Sequence, residues 1–277
     1  MPGSEYYERV GQYFSHEVDA LDERDLSNPI HAYIRRESLA TLKSVFTRPA
    51  RLLEFGYGTG TEAISLAREG FEIVGVDPSP AMRERAREKA RTTGVLERCD
   101  FRLGSTADAH ALAEEFGEAS FDGAFSTLGP LNCEPDLPQF ARSLQRALRP
   151  RSALVALVVN RFCAWETLLY LGAGRFRKAF RRQAAGWSVF PMDSTGRALP
   201  VFTYTPASFE RAFGGRFLLE RCFALPVILP PPYAAARLET LGGLLGILER
   251  ADERLRGAWP AAWLSDHFEA VLRRHPP

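Results

Sequence analysis

The sequence predicts a doubly wound α/β fold built on a mostly parallel sheet, and two patterns lead to that prediction. Short apolar runs alternate with longer, charged helical segments between about residues 50 and 160, which is typical of consecutive βαβ units. The apolar runs are nearly continuous, as expected for parallel strands that helices cover on both faces. The composition agrees, since 45% hydrophobic and 25% charged residues are ordinary for a globular chain with a sizeable core.

The elements of the first half follow in order from the N-terminus. Residues 1–48 are predicted to form a helical cap, because their second half carries a rough apolar stripe at helical spacing. Residues 49–160 form the predicted core, in which Ser79 is the expected N-cap of a helix that begins with Pro80. The core contains strands at 51–56, 71–77, 99–104, 121–127 and 152–159, and helices at 60–69, 79–92 and 136–148.

The second half, residues 161–277, is predicted to complete the sheet within the same structural domain. Two insertions, at about 161–200 and 229–262, interrupt the alternation and are expected to form a lid over a substrate. The remaining elements are strands at 201–205, within 217–229 and at 267–274, and a helix at 206–213.

The first insertion carries a basic segment, residues 175–182, which contains five cations and no acid: Arg175, Arg177, Lys178, Arg181 and Arg182. Phe176 and Phe180 lie among these cations at helical spacing. Three interpretations stay open, namely a solvated helix face, a landing patch for an anionic acceptor, and contact with a membrane surface.

Charge and cysteine content narrow the class of protein. Lys plus Arg number 35 and Asp plus Glu 34, so no global field attracts nucleic acid, and no nucleic-acid partner is expected. The four cysteines lie far apart without a C-x-x-C pair, which suggests neither a disulfide framework nor a metal site. With no leader-like N-terminus and no long apolar run, a soluble, cytoplasmic protein is predicted.

The sharpest motif is LLEFGYGTGTEAISLA, in which a strand, an acid and three alternating glycines precede a helix. Gly56, Gly58 and Gly60 allow positive φ and let a ligand approach the backbone. The next strand ends in Asp77, whose carboxylate can accept hydrogen bonds from ribose hydroxyls. The spacing E-x-G-x-G-x-G differs from the G-x-G-x-x-G of dinucleotide loops, and Glu54 suits a cationic ligand better than a pyrophosphate.

Three segments in this order, EFGYGTG, IVGVDPSPAM and FDGAFSTLGPLN, resemble the class I S-adenosylmethionine (SAM)-dependent methyltransferases that act on small molecules. The resemblance covers about residues 50 to 160. It implies a seven-stranded Rossmann-like sheet, SAM as the cofactor and S-adenosylhomocysteine (SAH) as its product.

The resemblance also implies where the cofactor is bound. The glycine loop would hold its methionine end, Asp77 its ribose and Met82 its adenine. Members of the family usually carry Asp after the glycine of the third strand, whereas Ser105 and Thr106 stand here, so that contact falls to these residues or to Asp108. The expected cofactor site is Glu54, Gly56, Tyr57, Gly58, Gly60, Asp77, Pro78, Met82, Ser105, Thr106, Ser126 and Leu128.

The expected reaction is in-line transfer of the methyl group to N, O or C of a small, anionic or apolar metabolite. A base is needed only where the acceptor must lose a proton. The candidate catalytic residues are His31, His267, Tyr13 and Asn132, and Glu134 and Asn160 are candidates for orienting an acceptor. Two alternatives remain, a NAD-dependent oxidoreductase on a related sheet and a SAM-binding relative that does not methylate.

Overall fold

The structure is a computed structural model, and it describes residues 4–183, 187–189, 199–237 and 244–276. Its strands are β1 (Arg51–Phe55), β2 (Glu72–Asp77), β3 (Cys99–Leu103), β4 (Phe121–Ser126), β5 (Leu148–Val159), β6 (Trp187–Val189), β7 (Pro200–Phe202), β8 (Phe217–Leu225) and β9 (His267–Arg274). Its helices are α1 (Ser4–Ser15), α2 (Val18–Ser27), α3 (Pro29–Val45), α4 (Thr61–Arg68), α5 (Pro80–Thr92), α6 (Ala109–Phe116), α7 (Leu137–Ala147), α8 (Ala164–Gly172), α9 (Phe176–Ala179), α10 (Pro206–Ala212), α11 (Leu245–Leu255) and α12 (Ala261–Leu264).

Seven of these strands form one sheet in the order β3-β2-β1-β4-β5-β9-β8. The pairs from β3 to β5 are parallel, and β9 runs antiparallel to both β5 and β8. The predicted seven-stranded, mostly parallel, doubly wound sheet is therefore confirmed. The order reverses between β1 and β4, and the crevice beyond the carboxyl ends of such strands is where open α/β sheets bind ligands.

Strand β1 shows how both faces of the sheet are covered. Leu53 is buried in one cluster with Leu144 of α7 and Phe209 of α10, whereas Leu52 is buried in another with Leu66 of α4. Successive residues of a strand point to opposite faces, so a strand that is buried on both faces is mainly apolar, and Glu54 is the buried exception in β1. This explains why the strand segments are continuous apolar runs in the sequence.

The predicted helical cap consists of α1, α2 and α3. Asn28 separates α2 from α3, and its side chain accepts two backbone N–H groups at the start of α3, where Pro29 occupies the first turn. Helix α1 lies directly on the turn after β2, since a Cβ on Gly11 would come within 2.3 Å of the carbonyl oxygen of Pro78. The cap therefore lies over the carboxyl ends of the strands.

One predicted strand lies outside the main sheet. The segment 201–205 contributes to β7, which pairs antiparallel with β6 in a separate two-stranded sheet. Because β4 and β9 already occupy both sides of β5, the segment reaches the end of β5 only through a bridge between Asn160 and Tyr204. β5 also begins earlier than predicted, since Leu148 pairs with Phe121 ahead of a bulge.

The first predicted insertion contains α8, α9 and β6, and the second contains α11 and the first half of α12. Residues 184–186 and 190–198 of the first insertion and 238–243 of the second lie outside the described residues. Among the helices in the described part of the chain, none is both long enough and apolar enough to cross a bilayer.

Candidate functional site

A cavity of about 680 Å³ lies between the helical cap and the carboxyl ends of the central strands. Its walls include residues 56–58 after β1, Asp77 at the end of β2 and Thr127 after β4, together with Tyr13 and His31 from the cap. Small-molecule sites are concave and typically enclose about 300–1,000 Å³. The cavity is therefore the candidate site, and it lies where the sheet topology predicts one.

The three glycines of the loop differ in the space around their Cβ positions. A Cβ on Gly56 would lie 2.3 Å from the Cβ of Pro130, so this glycine permits the loop after β4 to pack closely. A Cβ on Gly60 would lie 3.0 Å from the Cβ of Ala86 on α5. Gly58 has a φ of +51° and would meet no atom within 4 Å, and it lines the cavity. Only Gly58 thus leaves open space that a ligand can occupy.

Asp77 is buried and holds the glycine loop in place. Its Oδ2 accepts the backbone N–H of Gly58 at 3.0 Å, and its Oδ1 accepts that of Ser79 at 2.9 Å. Burial raises the pKa of Asp77 to about 6, although these two N–H groups act in the opposite direction. Each carboxylate oxygen retains a second lone pair, so Asp77 can still accept a hydroxyl from a ligand.

The next part of the wall is formed by Pro78, Met82, Ser105 and Thr106, all predicted from the sequence as cofactor contacts. The backbone N–H of Ser105 donates to Oδ2 of Asp108 at 2.6 Å, and the two residues form a capping box. Asp108 therefore stabilises the turn after β3 and is not among the residues that line the cavity.

Tyr57 and Leu128 also line the cavity, whereas Glu54, Gly60 and Ser126 of the predicted cofactor site do not. Ser126 donates its hydroxyl to the carbonyl of Phe55 at 2.8 Å. Both carboxylate oxygens of Glu54 are buried without a hydrogen-bond partner among the residues that the structure describes. The pKa of Glu54 is raised well above its ordinary value, mainly by burial and to a smaller extent by the nearby carboxylate of Glu62.

The cavity extends along the edge of the sheet from Asp77 on β2 to His267 on β9. Strands β1, β4 and β5 lie between these two, which at about 4.8 Å per strand corresponds to a span of about 19 Å. The walls beyond the glycine loop are largely apolar and include Ile34, Val159 and Val201. The cavity can therefore accommodate a nucleoside near Asp77 and a second molecule beside it.

A network of buried charges forms the wall near β9. Nη2 of Arg182 lies 2.6 Å from Oδ1 of Asp266 and 2.8 Å from Oε2 of Glu166, and Oδ2 of Asp266 lies 2.9 Å from Nδ1 of His267. Burial alone would raise the pKa of Asp266, but Arg182 and His267 more than offset burial and hold that pKa well below its ordinary value. Arg181 also binds Glu166, at 2.8 Å.

Three of the four candidate catalytic residues, His31, His267 and Tyr13, line the cavity, and Asn132 does not. The amide of Asn132 donates to the carbonyl of Phe202 at 2.6 Å and accepts the N–H of Val159 at 2.9 Å. Asn132 thereby joins the small sheet to β5.

The two residues predicted to orient an acceptor, Glu134 and Asn160, are likewise bound within the protein. Glu134 accepts the hydroxyl of Tyr7 at 2.9 Å and that of Thr106, and the amide of Asn160 donates to the carbonyls of Ala262 and Ser265. Neither residue lines the cavity.

Several residues on the cavity wall were missed by sequence reasoning, among them Arg35, Tyr170, Tyr233 and Asp266. The position of Asp266 directly before the candidate His267 was the one available signal. No signal in the sequence marked Arg35, because a cation on a helix is ordinarily solvated. In the structure, Arg35 pairs with Glu62 of α4.

Comparison with known proteins identifies a methyltransferase domain over residues 52–151. The malonyl-[acyl-carrier protein] O-methyltransferase of Halorhodospira halophila is 36% identical over 119 residues, which cover 42% of this chain but only 37% of that protein. A ubiquinone biosynthesis O-methyltransferase of Xylella fastidiosa is 29% identical over 184 residues, which cover 62% of this chain and 70% of that protein. The chain thus spans little more than a third of the first relative.

Among solved structures, the geranyl diphosphate C-methyltransferase of Streptomyces coelicolor, in complex with Mg²⁺, geranyl diphosphate and SAH, matches the whole chain. The TM-score is 0.58 at 16% identity, with 100% of this chain and 99% of that chain covered. At this identity the likeness concerns the fold, including the cap and the strands of the second half.

Proposed function

We propose that this chain, which belongs to the class I SAM-dependent methyltransferases, moves the methyl group of SAM to an N, O or C atom of a small apolar metabolite. The predicted family, enzyme class and cofactor are confirmed by the methyltransferase domain and by the methyltransferases that the chain resembles in sequence. One observation carries the proposal. A single cavity joins a largely apolar space to the surface around Gly58, Asp77 and Met82, which we call the nucleoside cradle.

The residues around the cradle fit SAM. Gly58 leaves open space beside the Asp77 carboxylate, and Met82 adds an apolar surface. Beneath the loop, the buried and unpartnered oxygens of Glu54 favour a cationic ligand, because a nearby positive charge would stabilise the ionised carboxylate. We therefore assign Asp77 to the ribose, Met82 to the adenine and Glu54, acting from below the wall, to the cationic end.

When bound, SAM supplies a methyl group on a sulfonium, which needs no further activation. The chain's own task is to orient the acceptor and to exclude water. The cap provides this enclosure, since Tyr13 and His31 line the cavity from the side opposite the sheet. The aromatic faces of Tyr13 and Phe14 can also accommodate a sulfonium charge.

The nature of the cavity wall favours an apolar acceptor over an anionic one. Arg181 and Arg182, the two cations of the basic segment that reach the cavity, bind Glu166 and Asp266. Their charges are therefore compensated within the protein, and the remaining wall offers mainly apolar surface. An acceptor with an apolar body and one reactive polar atom fits this wall best.

The rest of the basic segment points outward. Arg175, Arg177 and Lys178 are exposed, and so are the neighbouring Phe176 and Phe180. Cations interleaved with exposed aromatic rings suit peripheral contact with an anionic membrane surface, which is how we account for this segment. The cytoplasm remains the proposed location, and no nucleic-acid partner is proposed.

Methyl transfer is tested by incubating the chain with SAM labelled in the methyl group and with a panel of phenols, quinols, amines and carboxylic acids. We expect label in an apolar member of the panel, and none with heat-denatured protein. Label that stays on SAM with every acceptor, in a protein that binds SAM, would favour a relative that does not methylate.

A further inference from the structure

We propose that His267, oriented by Asp266, is the base that removes the proton of a neutral hydroxyl acceptor. This inference rests on the proposed methyl transfer and goes beyond it, because it names the acceptor group and the residue that activates it. It assigns a role to the charged network at the β9 end of the cavity, which cofactor binding does not use.

His267 stands where an acceptor would meet it. It is the first residue of β9 and pairs with Val159 on β5 and Leu225 on β8, so its position is fixed by strands on both sides. Its side chain is 14% exposed and lines the cavity. The imidazole is therefore accessible mainly from the cavity in which the acceptor is proposed to bind.

Asp266 selects the tautomer that a base requires. Its Oδ2 lies 2.9 Å from Nδ1 of His267, which is a close ion-pair contact, although the two groups do not meet the angular geometry of a hydrogen bond. A carboxylate at this distance favours a proton on Nδ1 and leaves the lone pair of Nε2 for a substrate. This is the arrangement in which a neutral imidazole accepts a proton and is stabilised as it becomes charged.

Arg182 keeps Asp266 ionised. Its guanidinium contacts Asp266 at 2.6 Å and is itself held by Glu166, so the carboxylate has a permanent countercharge. The low pKa of Asp266 agrees with this contact. The aspartate consequently stays charged throughout the range in which an imidazole titrates, and it does not compete for the proton.

The charges around His267 determine which kind of acceptor the wall near it favours. Val159 and Leu225, its strand neighbours, carry no charge. The titratable and charged groups that face it directly or through this network are Asp266, Arg182, Glu166, Arg181, Tyr233 and Cys163. Two carboxylates and two guanidinium groups balance one another, so the wall favours a neutral acceptor rather than an anion.

The hydroxyl proton of the acceptor moves to Nε2 of His267, and the oxygen electron pair forms a bond to the methyl carbon. The bond from that carbon to sulfur breaks, and its electron pair stays on sulfur. The products are a methyl ether, SAH and an imidazolium that releases its proton to water.

The tautomer is measured on the full-length chain with ¹⁵N-labelled histidine, and the His267 signals are assigned from their loss in His267→Gln. We expect a proton on Nδ1 and an unprotonated Nε2 in the neutral ring. A proton on Nε2 in the neutral wild-type ring would overturn the assignment.

Activity provides a second test, with phenols of different acidity as acceptors. His267→Gln should lose about 100-fold or more in kcat with weakly acidic phenols and much less with 4-nitrophenol, which ionises without help. His110→Gln, whose half-exposed ring lies on α6 outside the cavity, is the matched control and should behave like wild type. Equal losses across the phenols would refute proton removal by His267.

SAM binding distinguishes a wrong role for His267 from a wrong proposed function. Calorimetry of wild type and His267→Gln with SAM tests the cofactor site independently of any acceptor, and we expect equal affinities. A wild-type chain that does not bind SAM would defeat the proposed function. A chain that binds SAM but methylates only amines or carbon acids would retain the function and overturn the role of His267.

Discussion

At the scale of single residues, the Asp77 carboxylate links the protein to its proposed ligand. It accepts the backbone N–H of Gly58 and thereby fixes the loop that leaves space for the nucleoside. The glycines of that loop look equivalent in the sequence, but each meets different atoms. Gly56 and Gly60 permit close packing of the protein on itself, and of the three only Gly58 has open space at its Cβ position.

Gly58→Ala tests the cradle. The added methyl group would project into the cavity, so SAH affinity should fall about 10-fold or more by calorimetry. Gly94→Ala is the matched control, because Gly94 also has positive φ and no atom within 4 Å of its Cβ position but lies outside the cavity. Both variants should lose about 1 kcal/mol of stability from backbone strain, and only Gly58→Ala should lose affinity. Equal affinities would argue against the cradle.

The raised pKa of Asp77 predicts a pH-dependent affinity. Hydroxyl groups donate to the ionised carboxylate, and burial brings its pKa to about 6. SAH binding should therefore weaken as the pH falls through about 6, and Asp77→Asn should bind more weakly at every pH without this dependence. The stability of the ligand-free protein depends on pH in the opposite sense. Because the pKa of Asp77 is higher in the folded chain than in the unfolded chain, protonation of Asp77 as the pH falls should stabilise the fold. An affinity that is flat in wild type would contradict the assignment.

At the scale of elements, α11 fixes the chain that leaves the sheet after β8. Asp252 on α11 is fully buried, and its Oδ1 accepts the backbone N–H groups of residues 227–229. Its Oδ2 accepts the hydroxyl of Tyr33 on α3 at 2.8 Å. One carboxylate thus connects the second insertion, the end of β8 and the helical cap.

Asp252→Ala should lower stability by about 3 kcal/mol or more, because several buried donors would lose their acceptor. Glu253→Ala is the control on the same helix, since its partner Arg36 is half-exposed and such surface pairs contribute about 0.2–1 kcal/mol. Urea unfolding followed by circular dichroism measures both. A loss in Asp252→Ala no larger than in Glu253→Ala would show that the carboxylate does not anchor the loop.

The elements also show what the sequence could and could not predict. The βαβ core was predictable because each strand and helix has a local pattern, and Asp77 was predictable because its position follows from the strand that precedes it. The arrangement of the basic segment was not predictable, since the spacing of its cations does not indicate that Arg182 turns inward. Its partners Glu166 and Asp266 come from other elements, and only the tertiary structure brings these charges together.

At the scale of the whole molecule, buried carboxyl groups couple folding to pH. Glu269 on β9 is fully buried between the sheet and the cap, where it accepts the hydroxyl of Ser38 at 2.6 Å and binds Arg256 at 3.2 Å. Burial raises its pKa to about 7, although Ser38, Thr41 and Arg256 act in the opposite direction. The folded chain therefore holds this proton more tightly than the unfolded chain.

Stability should consequently fall as the pH rises through the range between the two pKa values of Glu269, about 4.5 and about 7. Glu269→Gln should remove about 3 kcal/mol of this dependence while keeping an acceptor for Ser38. Unfolding free energies of wild type and variant across this range provide the measurement. Parallel pH profiles would mean that Glu269 titrates alike in both states.

The central claim is that the cavity binds SAM through a nucleoside cradle without a pyrophosphate site. Calorimetric titration of the full chain with SAM, SAH and NAD tests this claim most directly. Micromolar binding of SAM and SAH, with no heat of binding for NAD, is the predicted result. Binding of NAD without SAM or SAH would contradict the assignment of the glycine loop and, with it, the proposed function.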